Sequence, residues 1–240
     1  MWGRELASGG WGRRPRTAFA GTALMAQAVS RRQLLQLGAV VVVGWGAAKV
    51  FQRAAPIGRD VGTNLTAQRL LQDRLSPRTE VRGADLTMVV FTDYQCAACK
   101  VAAPAMAAAV ADDGRVRLIY REWPIFGPRS ERAARVALAS AAQGVYPQVH
   151  RRLMAERRQL DDAVLQAVVE ASGGDWARLL ADLDRLAQPI DQLIARTSQD
   201  AFALSLPGTP AFVIGTILVV GGMDEDGFAR AFAEARARPR

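Results

Sequence analysis

The sequence predicts an α/β fold in which a sheet is interrupted by an inserted all-helical subdomain. Short apolar runs rich in β-branched residues, typical of strands, occur at 86–92 and 116–120 and return only at 211–214 and 217–220. The residues between them, from about 128 to 200, have the spacing of amphipathic helices. The order of elements is therefore strand, helix, strand, helical block, two strands and a helix.

Three segments are expected along the chain. Residues 1–54 form an N-terminal tail with a signal peptide or anchor, and 55–78 form a linker with a short helix at 64–75. The domain itself occupies 79–240, and an additional strand is expected at its start, near 79–83.

The elements of this domain have local causes in the sequence. The nearly continuous apolar run Leu86–Thr92 predicts a strand that is buried on both faces. The Ala-rich stretch 101–111 favours a helix, which Pro104 should kink. Gly215 and Thr216 supply a tight turn between the last two strands, and a final amphipathic helix is expected at 224–236.

The helical block divides at turn residues. Helices are expected at 130–143, 147–158 and 162–172, and a fourth follows Asp175 until Pro189 interrupts it. An apolar stripe lies along one face of the fourth helix. The residues of this stripe are Trp176, Leu179, Leu180, Leu183 and Leu186.

Composition and charge exclude several classes of protein. The chain has 240 residues, of which 50% are apolar and 22% charged, and this composition excludes disordered and collagen-like chains. The net charge of +8 comes from 31 basic and 23 acidic residues. Residues 1–54 carry eight of the basic residues and one of the acids, which leaves 23 and 22 for 55–240. The folded part therefore gives no electrostatic reason to expect a nucleic-acid partner.

The N-terminal segment resembles a bacterial export signal. Arg31 and Arg32 follow Ser30 and precede a mostly apolar stretch from Leu34 to Ala48. The arginine pair is similar to the twin-arginine motif, and the apolar stretch is shorter than the roughly 20 residues that cross a bilayer. A cleaved signal peptide, a retained membrane anchor and an ordinary buried segment are the three interpretations. Export would place the protein in the periplasm or on the outer face of the inner membrane of a bacterium.

The inventory of metal-binding and nucleophilic side chains is small. The chain has one histidine, His150, and two cysteines, Cys96 and Cys99, so Cys and His alone cannot supply the four ligands of a structural zinc site, and no metal is expected. A cysteine–histidine dyad would require His150 to lie against the cysteines. His150 is followed by Arg151 and Arg152, a pattern typical of a solvated helix face.

Cys96 and Cys99 are three residues apart at a junction between a predicted strand and a predicted helix. This spacing permits a small disulfide ring, and the free N–H groups and the dipole of a helix N-terminus stabilise a thiolate on the first cysteine. The thiolate is the nucleophile of disulfide exchange, and the second cysteine can resolve the mixed disulfide. Redox chemistry is the favoured interpretation. A permanent structural disulfide and half of a metal site shared between two chains are the alternatives.

Three stretches of the sequence add to this interpretation: FTDYQCAAC at 91–99, YREWPIFG at 120–127 and LPGTPAFVIG at 206–215. Together they resemble the DsbA-like family of exported thiol–disulfide oxidoreductases. The resemblance covers about 80–236 and implies a thioredoxin-like fold with a helical insertion. It also implies roles for four residues: Cys96 as the exposed nucleophile, Cys99 as the buried resolving thiol, Pro210 as a cis proline beside them, and Thr209 as the residue that presents backbone to the substrate.

The residues between the cysteines differ from those of the best-known family members. Strongly oxidising members have a Pro-His dipeptide there, whereas this chain has Ala97 and Ala98. No imidazole between the cysteines stabilises the thiolate, so the couple is expected to be less oxidising. Glu122, which ends the second predicted strand, is a candidate proton acceptor beneath the disulfide. The alternative is a surface carboxylate paired with Arg121 or Arg129.

The expected activity is disulfide exchange with protein substrates. No organic cofactor or metal is expected, because the electrons reside in the cysteine pair. The resemblance implies a membrane partner that recycles this pair, and the direction of electron flow stays open among oxidase, isomerase and reductase. Two other functions are considered: a non-catalytic binding or chaperone module with a structural 96–99 disulfide, and an isomerase or transferase that uses bound glutathione.

Overall fold

Five strands form one mixed sheet within residues 57–238, the part of the chain that the computed structural model describes. They are β1 (Arg59–Asp60), β2 (Leu86–Thr92), β3 (Val116–Glu122), β4 (Ala211–Ile214) and β5 (Ile217–Val220). Their order is β1-β5-β4-β2-β3, with β2 and β3 parallel and the other neighbours antiparallel. The expected signal peptide or anchor at 1–54 lies outside the described residues.

The described residues also form eight α-helices. They are α1 (Leu65–Leu71), α2 (Ala97–Asp113), α3 (Pro128–Ser140), α4 (Tyr146–Ala155), α5 (Asp162–Ala171), α6 (Trp176–Arg185), α7 (Ala187–Ala203) and α8 (Glu225–Ala237), and a 3-10 turn at Ala141–Gln143 follows α3. Helices α3 to α7 lie between β3 and β4, so the predicted α/β architecture with an all-helical insertion is confirmed. Within 57–238, none of these helices has the length and apolar character that crossing a membrane requires.

The sheet differs from the prediction at its beginning. The strand expected near 79–83 is wrong, since only an isolated bridge between Arg78 and Ile119 forms in that part of the chain. The segment expected to be linker instead contributes β1, which pairs with β5. Gly58 permits this pairing, because it has a φ of 67° and a side chain there would collide with the carbonyl oxygen of Leu218. A two-residue strand carries too little periodicity to be seen in a sequence.

The break before the last helix of the insertion lies earlier than expected. Helix α6 ends at Arg185 and α7 begins at Ala187, so Pro189 is the third residue of α7. The first four N–H groups of a helix have no partner within the helix, and a proline in the first turn therefore removes no hydrogen bond. The expectation that Pro189 itself interrupts the helix is wrong for this reason.

Strand β2 separates two apolar cores, as its continuous apolar run predicts. Met88 and Val90 point into the larger core, which includes α2, α8 and the insertion helices. Val89 and Phe91 point into the smaller core, which includes α1 and the end of α7. All four side chains are almost completely buried. Both faces of the strand are therefore covered, which is typical of a central strand between two layers of helices.

The register of the strands brings three chain segments to one edge of the sheet. Thr92, the last residue of β2, lies opposite Glu122, the last residue of β3. Strand β4 runs antiparallel to β2 and begins with Ala211 opposite Phe91. Pro210, immediately before β4, therefore lies at the edge where β2 ends and Cys96 soon follows.

A buried arginine ties distant parts of the chain together on the smaller-core side. The side chain of Arg121 is 2% exposed, and it donates hydrogen bonds at 2.6 Å to Asp73 and at 2.6 Å to Asp200. Asp73 follows α1, and Asp200 lies near the end of α7. Arg121 thus joins the segment that follows α1, the sheet and the insertion.

Candidate active site

Cys96 occupies the N-cap position of α2, as the junction of strand and helix predicts. Its Sγ accepts a hydrogen bond from the backbone N–H of Cys99 at 3.2 Å, and its thiol lies 3.3 Å from the carbonyl oxygen of Thr209, to which it donates. Both cysteines are free thiols, and the two residues come within 2.8 Å of each other. The Cys96 sulfur thus lies at a helix N-terminus, beside Cys99.

The expectation that Cys96 is the exposed thiol of the pair is wrong in this structure. Cys96 and Cys99 are each 3% exposed. Cys96 is covered because the Thr209 carbonyl lies against its sulfur, whereas Ala97 and Ala98 of the first helical turn are exposed. The two thiols therefore do not differ in exposure.

The environment of Cys99 keeps its sulfur protonated. Burial raises the pKa of the Cys99 thiol to about 12, and the neighbouring Cys96 adds to this effect. The Thr209 hydroxyl and the Asp93 backbone act in the opposite direction and offset only part of it. That hydroxyl is buried without a partner in hydrogen-bonding geometry among the described residues. Cys99 thus needs a base before it can act as a nucleophile at neutral pH.

Thr209 and Pro210 lie beside the two cysteines. The peptide bond between them is cis, and it immediately precedes β4. Pro210 is buried, and its carbonyl oxygen accepts a hydrogen bond from Gly221 at 2.9 Å. The structure thus brings together four of the five residues selected from the sequence: Cys96, Cys99, Thr209 and Pro210.

A buried carboxylate holds the loop beside this site. Asp93, in the turn before Cys96, accepts hydrogen bonds from the backbone N–H groups of Ile125 at 2.7 Å and Phe126 at 3.2 Å, and from the Ser130 hydroxyl. The side chains of Ile125 and Phe126 are 42% and 55% exposed. Asp93 therefore holds the apolar residues Ile125 and Phe126 next to the turn that carries Cys96.

Glu122 is buried, and the alternative of a surface carboxylate paired with Arg121 or Arg129 is wrong. Glu122 is 2% exposed, and its Oε1 accepts hydrogen bonds from the hydroxyls of Tyr94, at 2.6 Å, and Tyr146. Arg121 cannot pair with Glu122, because successive residues of a strand point to opposite faces of the sheet. The structure records no contact between Glu122 and Cys99.

His150 is also buried, which corrects the expectation of a solvated helix face. It is 4% exposed, and its Nδ1 lies 2.8 Å from the Tyr94 hydroxyl and 3.7 Å from Oε1 of Glu122. Its position on α4 explains this, because Tyr146, Val149 and Leu153 lie on the same buried face. That helical spacing was the signal in the sequence, and the two arginines after His150 concealed it.

The two tyrosines of this cluster are held in their neutral form. Burial raises the pKa of Tyr94 and of Tyr146 well above the ordinary value, and the charge of Glu122 adds to the effect in both cases. Each tyrosine therefore keeps its hydroxyl proton and donates a hydrogen bond to the carboxylate. Sequence reasoning did not select either tyrosine.

His150 and Cys99 line one small cavity. Its volume is about 10 Å³, and its wall includes Cys99, His150, Met154 and Pro210. Such a volume is about the least that can hold one water molecule. Within 57–238, His, Cys, Asp and Glu side chains form no group of three or more that could hold a metal ion.

Comparison with known proteins identifies the fold. A model of the DSBA-like thioredoxin domain matches residues 87–233. The chain is similar to the structure of a thioredoxin-like oxidoreductase from Silicibacter pomeroyi, with 33% identity and a TM-score of 0.68 over 73% of this chain and 99% of that one. It is also similar to the thiol-disulfide exchange protein alpha-DsbA2 from Wolbachia pipientis, with 25% identity and a TM-score of 0.66 over 71% and 96%. The predicted thioredoxin-like fold is confirmed.

Two further similarities concern a solved domain and curated sequences. The catalytic domain of Proteus mirabilis ScsC shares 25% identity with a TM-score of 0.64, over 74% of this chain and 97% of that one. The Na(+)/H(+) antiporter NhaA 3 of Salinispora tropica is 30% identical over 213 residues, which are 81% of this chain and 31% of the antiporter. The chain thus spans less than a third of the length of that relative. The chain belongs to the DSBA-like thioredoxin domain family, whose general activity is thiol–disulfide oxidoreduction.

Proposed function

We propose that the protein is an exported thiol–disulfide oxidoreductase that exchanges disulfides with protein substrates through its Cys96-Ala97-Ala98-Cys99 site. The environment of Cys96 is the observation that carries this proposal. Its sulfur receives a backbone N–H at a helix N-terminus, lies against the Thr209 carbonyl and is adjacent to the protonated Cys99. One thiol is therefore prepared to attack and the other to resolve.

Exchange consists of two displacements at sulfur. When a substrate disulfide is reduced, the Cys96 thiolate bonds to one substrate sulfur, and the other leaves with the electron pair of the broken bond and takes up a proton. Cys99 then loses its proton and bonds to Cys96, which breaks the bond between Cys96 and the substrate. Overall, two electrons and two protons pass from the cysteine pair to the substrate. The same steps in reverse oxidise a substrate dithiol.

The surface around Cys96 fits an extended peptide substrate. Thr209 precedes β4, and its carbonyl oxygen lies 3.3 Å from the Cys96 sulfur, so a strand-like segment beside Thr209 would bring its own sulfur close to Cys96. The exposed side chains of Ile125 and Phe126 offer apolar contact on this side, because Asp93 holds their backbone in place. Specificity would come from these contacts.

The location and the partner of the protein follow from the N-terminal segment in this proposal. Residues 1–54 act as a signal peptide or membrane anchor and place the domain in the periplasm or on the outer face of the inner membrane. A membrane redox partner recycles the cysteine pair there. Because Ala97 and Ala98 replace the Pro-His pair of the strong oxidants, the couple is expected to be a weaker oxidant.

The burial of both sulfurs favours a second candidate function. At 3% exposure each, the cysteines could form a shielded structural disulfide in a non-catalytic binding or chaperone module. A thioredoxin-fold enzyme that uses bound glutathione is a third candidate, and it requires non-covalent binding of glutathione. Catalytic assays of the same protein separate these functions.

The experiment measures catalysis in both directions with the full-length chain. Reduction of insulin by dithiothreitol reports the reductase direction, and oxidation of a dithiol peptide in glutathione buffer reports the oxidase direction. We expect catalysis in at least one assay and its loss after one equivalent of iodoacetamide, with Cys96 as the alkylated residue by mass spectrometry. The protein with Cys96 alkylated is the matched control. Absence of catalysis in both assays would favour the binding module.

A further inference from the structure

The Cys99 thiol has a side-chain hydrogen bond with Cys96, but the Cys96 sulfur is bonded to the substrate in a mixed disulfide and cannot take the proton there. With a pKa of about 12, the thiol must release its proton each time it resolves a mixed disulfide. Glu122 makes no hydrogen bond to Cys99 and does not line the cavity beside it; its Oε1 accepts from two tyrosine hydroxyls, and its Oε2 is buried without a partner among the described residues. The His150 imidazole, in contrast, lines the same cavity as the resolving thiol.

The hydrogen bonds behind His150 determine which of its nitrogens can accept a proton. Tyr94 donates its single hydroxyl hydrogen to Oε1 of Glu122, at 2.6 Å. The Tyr94 oxygen can then only accept from His150, and Nδ1 of His150 must carry the hydrogen. In a neutral imidazole this leaves Nε2 as the acceptor, and Nε2 has no hydrogen-bond partner within the described part of the chain.

We propose that His150 is the proton acceptor and donor for Cys99, through one water molecule in the cavity that both residues line. Glu122 and Tyr94 are positioning residues, because they fix the tautomer of His150 and do not touch the reacting sulfur. The inference rests on the proposed function, since it concerns the resolving step of the same cysteine pair. It revises the expectation that Glu122 itself receives the proton.

The step balances without a further reagent. The S–H bond of Cys99 breaks, its proton passes through the water to Nε2 of His150, and the thiolate bonds to Cys96 as the bond from Cys96 to the substrate sulfur breaks. The substrate sulfur leaves with the electron pair of that bond. When the enzyme instead oxidises a substrate, Cys99 is the leaving thiolate and the proton returns from His150.

The surroundings of His150 fit a group that gains and loses charge. Its ring packs against those of Tyr94, Tyr120 and Tyr146, with centroid distances of 5.5, 4.5 and 5.8 Å. Oε1 of Glu122 lies 3.7 Å from Nδ1 of the ring. The Glu122 carboxyl group therefore lies beside the ring that receives the Cys99 proton in this proposal.

The test separates the two displacements with 5,5′-dithiobis(2-nitrobenzoate). The reduced full-length protein releases one thionitrobenzoate when Cys96 attacks and a second when Cys99 resolves the mixed disulfide, and stopped-flow absorbance follows both. In His150→Gln, which keeps an amide donor for Tyr94, we expect the second phase at pH 7 to slow by about tenfold or more. The slowing should diminish as the pH rises, because hydroxide replaces the missing base. The first phase should stay within about twofold of wild type.

Two further variants keep the inference falsifiable. Tyr94→Phe removes the hydroxyl that orients His150, and we expect it to slow the second phase selectively as well. Tyr120→Phe changes an aromatic neighbour of His150 whose hydroxyl makes no recorded hydrogen bond in the described residues, and we expect both phases to be unchanged. A second phase that is as fast and has the same pH profile in His150→Gln and Tyr94→Phe as in wild type would overturn the proposal. Equal slowing of both phases at every pH would also overturn it, because it indicates a structural role.

The proton transfer between Cys99 and His150 through one water molecule is called the relay below. The same experiment distinguishes failure of this relay from failure of the proposed function. If wild type shows both phases and only the response to His150 is missing, the redox function stands and the relay is wrong. If wild type releases no second thionitrobenzoate, Cys99 does not resolve a mixed disulfide at Cys96. That result would overturn the proposed function and the relay together.

Discussion

Cys99→Ser is expected to reduce turnover by at least about 100-fold, equivalent to about 2.7 kcal/mol, and to accumulate a mixed disulfide between Cys96 and the substrate. Cys96 keeps its place at the helix N-terminus in this variant, because its contacts with the backbone N–H of residue 99 and the Thr209 carbonyl do not involve the Cys99 side chain. The first displacement therefore continues, but no thiol follows to resolve its product. Non-reducing electrophoresis measures the adduct, and insulin reduction measures the turnover.

Cys96→Ser is the matched control for this result. It leaves only Cys99, whose burial raises the pKa of its thiol and keeps it mostly protonated at pH 7. We expect neither turnover nor a mixed disulfide from this variant. An adduct that forms through Cys99 in Cys96→Ser, at a rate similar to that of Cys99→Ser, would reverse the roles assigned to the two cysteines.

Arg121→Met is expected to lower the free energy of unfolding by about 3–5 kcal/mol. The substitution leaves Asp73 and Asp200, whose side chains are only 10% and 12% exposed, without their shared guanidinium partner. The measurement is urea denaturation at pH 7. The matched control is Arg132→Met, since Arg132 pairs with Asp162 at the surface, where both side chains are much more exposed. We expect this control to lose less than about 1 kcal/mol.

The pH dependence of stability provides a second measurement on the same pair of proteins. Burial raises the pKa of Asp73, but hydrogen bonds from Ser76 and the Leu75 backbone and the charge of Arg121 outweigh it and hold the pKa below its usual value. A lowered pKa in the folded state means that this stability is present above the pKa of the unfolded chain, about 3.9, and is lost as the pH falls through the folded value. Arg121→Met should show a smaller loss in this range. An unfolding free energy equal to that of wild type at pH 7 would contradict the role of Arg121.

The cysteine site was predictable because its determinants are local in sequence. Cys96 and Cys99 follow a buried strand and open a helix, and both properties are visible as an apolar run and an Ala-rich stretch. The strand at Leu86–Thr92 and the hairpin around Gly215 were predictable for the same reason. Pro210 was found through its motif, since composition and spacing alone do not distinguish a cis proline from a proline at the start of a strand.

The surroundings of the site were not predictable, because they depend on contacts between distant segments. Cys96 is buried by a carbonyl 113 residues away, at Thr209. Tyr94 and His150 are 56 residues apart and meet only because α4 packs against the cysteine turn. The residues beside Glu122 in the sequence do not reveal whether its side chain is buried or exposed. Its burial follows from the face of β3 to which it points, which is opposite to that of Arg121. Local patterns assign the elements, whereas their packing decides which polar side chains are enclosed.

The central claim is that Cys96 and Cys99 form a reversible redox couple, and the reduction potential of this pair tests it most directly. The full-length protein is equilibrated with glutathione redox buffers, and the fraction of disulfide is measured by alkylation and mass spectrometry, with Cys99→Ser as the blank. We expect a reduction potential between about −300 mV and about −120 mV, where the upper limit is the value of a strongly oxidising pair. Within that range, a value of about −180 mV or higher would assign the protein to disulfide donation or isomerisation, and one near −270 mV to reduction. A disulfide with a potential below about −300 mV, which the glutathione pool does not reduce, would contradict the redox function and identify the bond as structural.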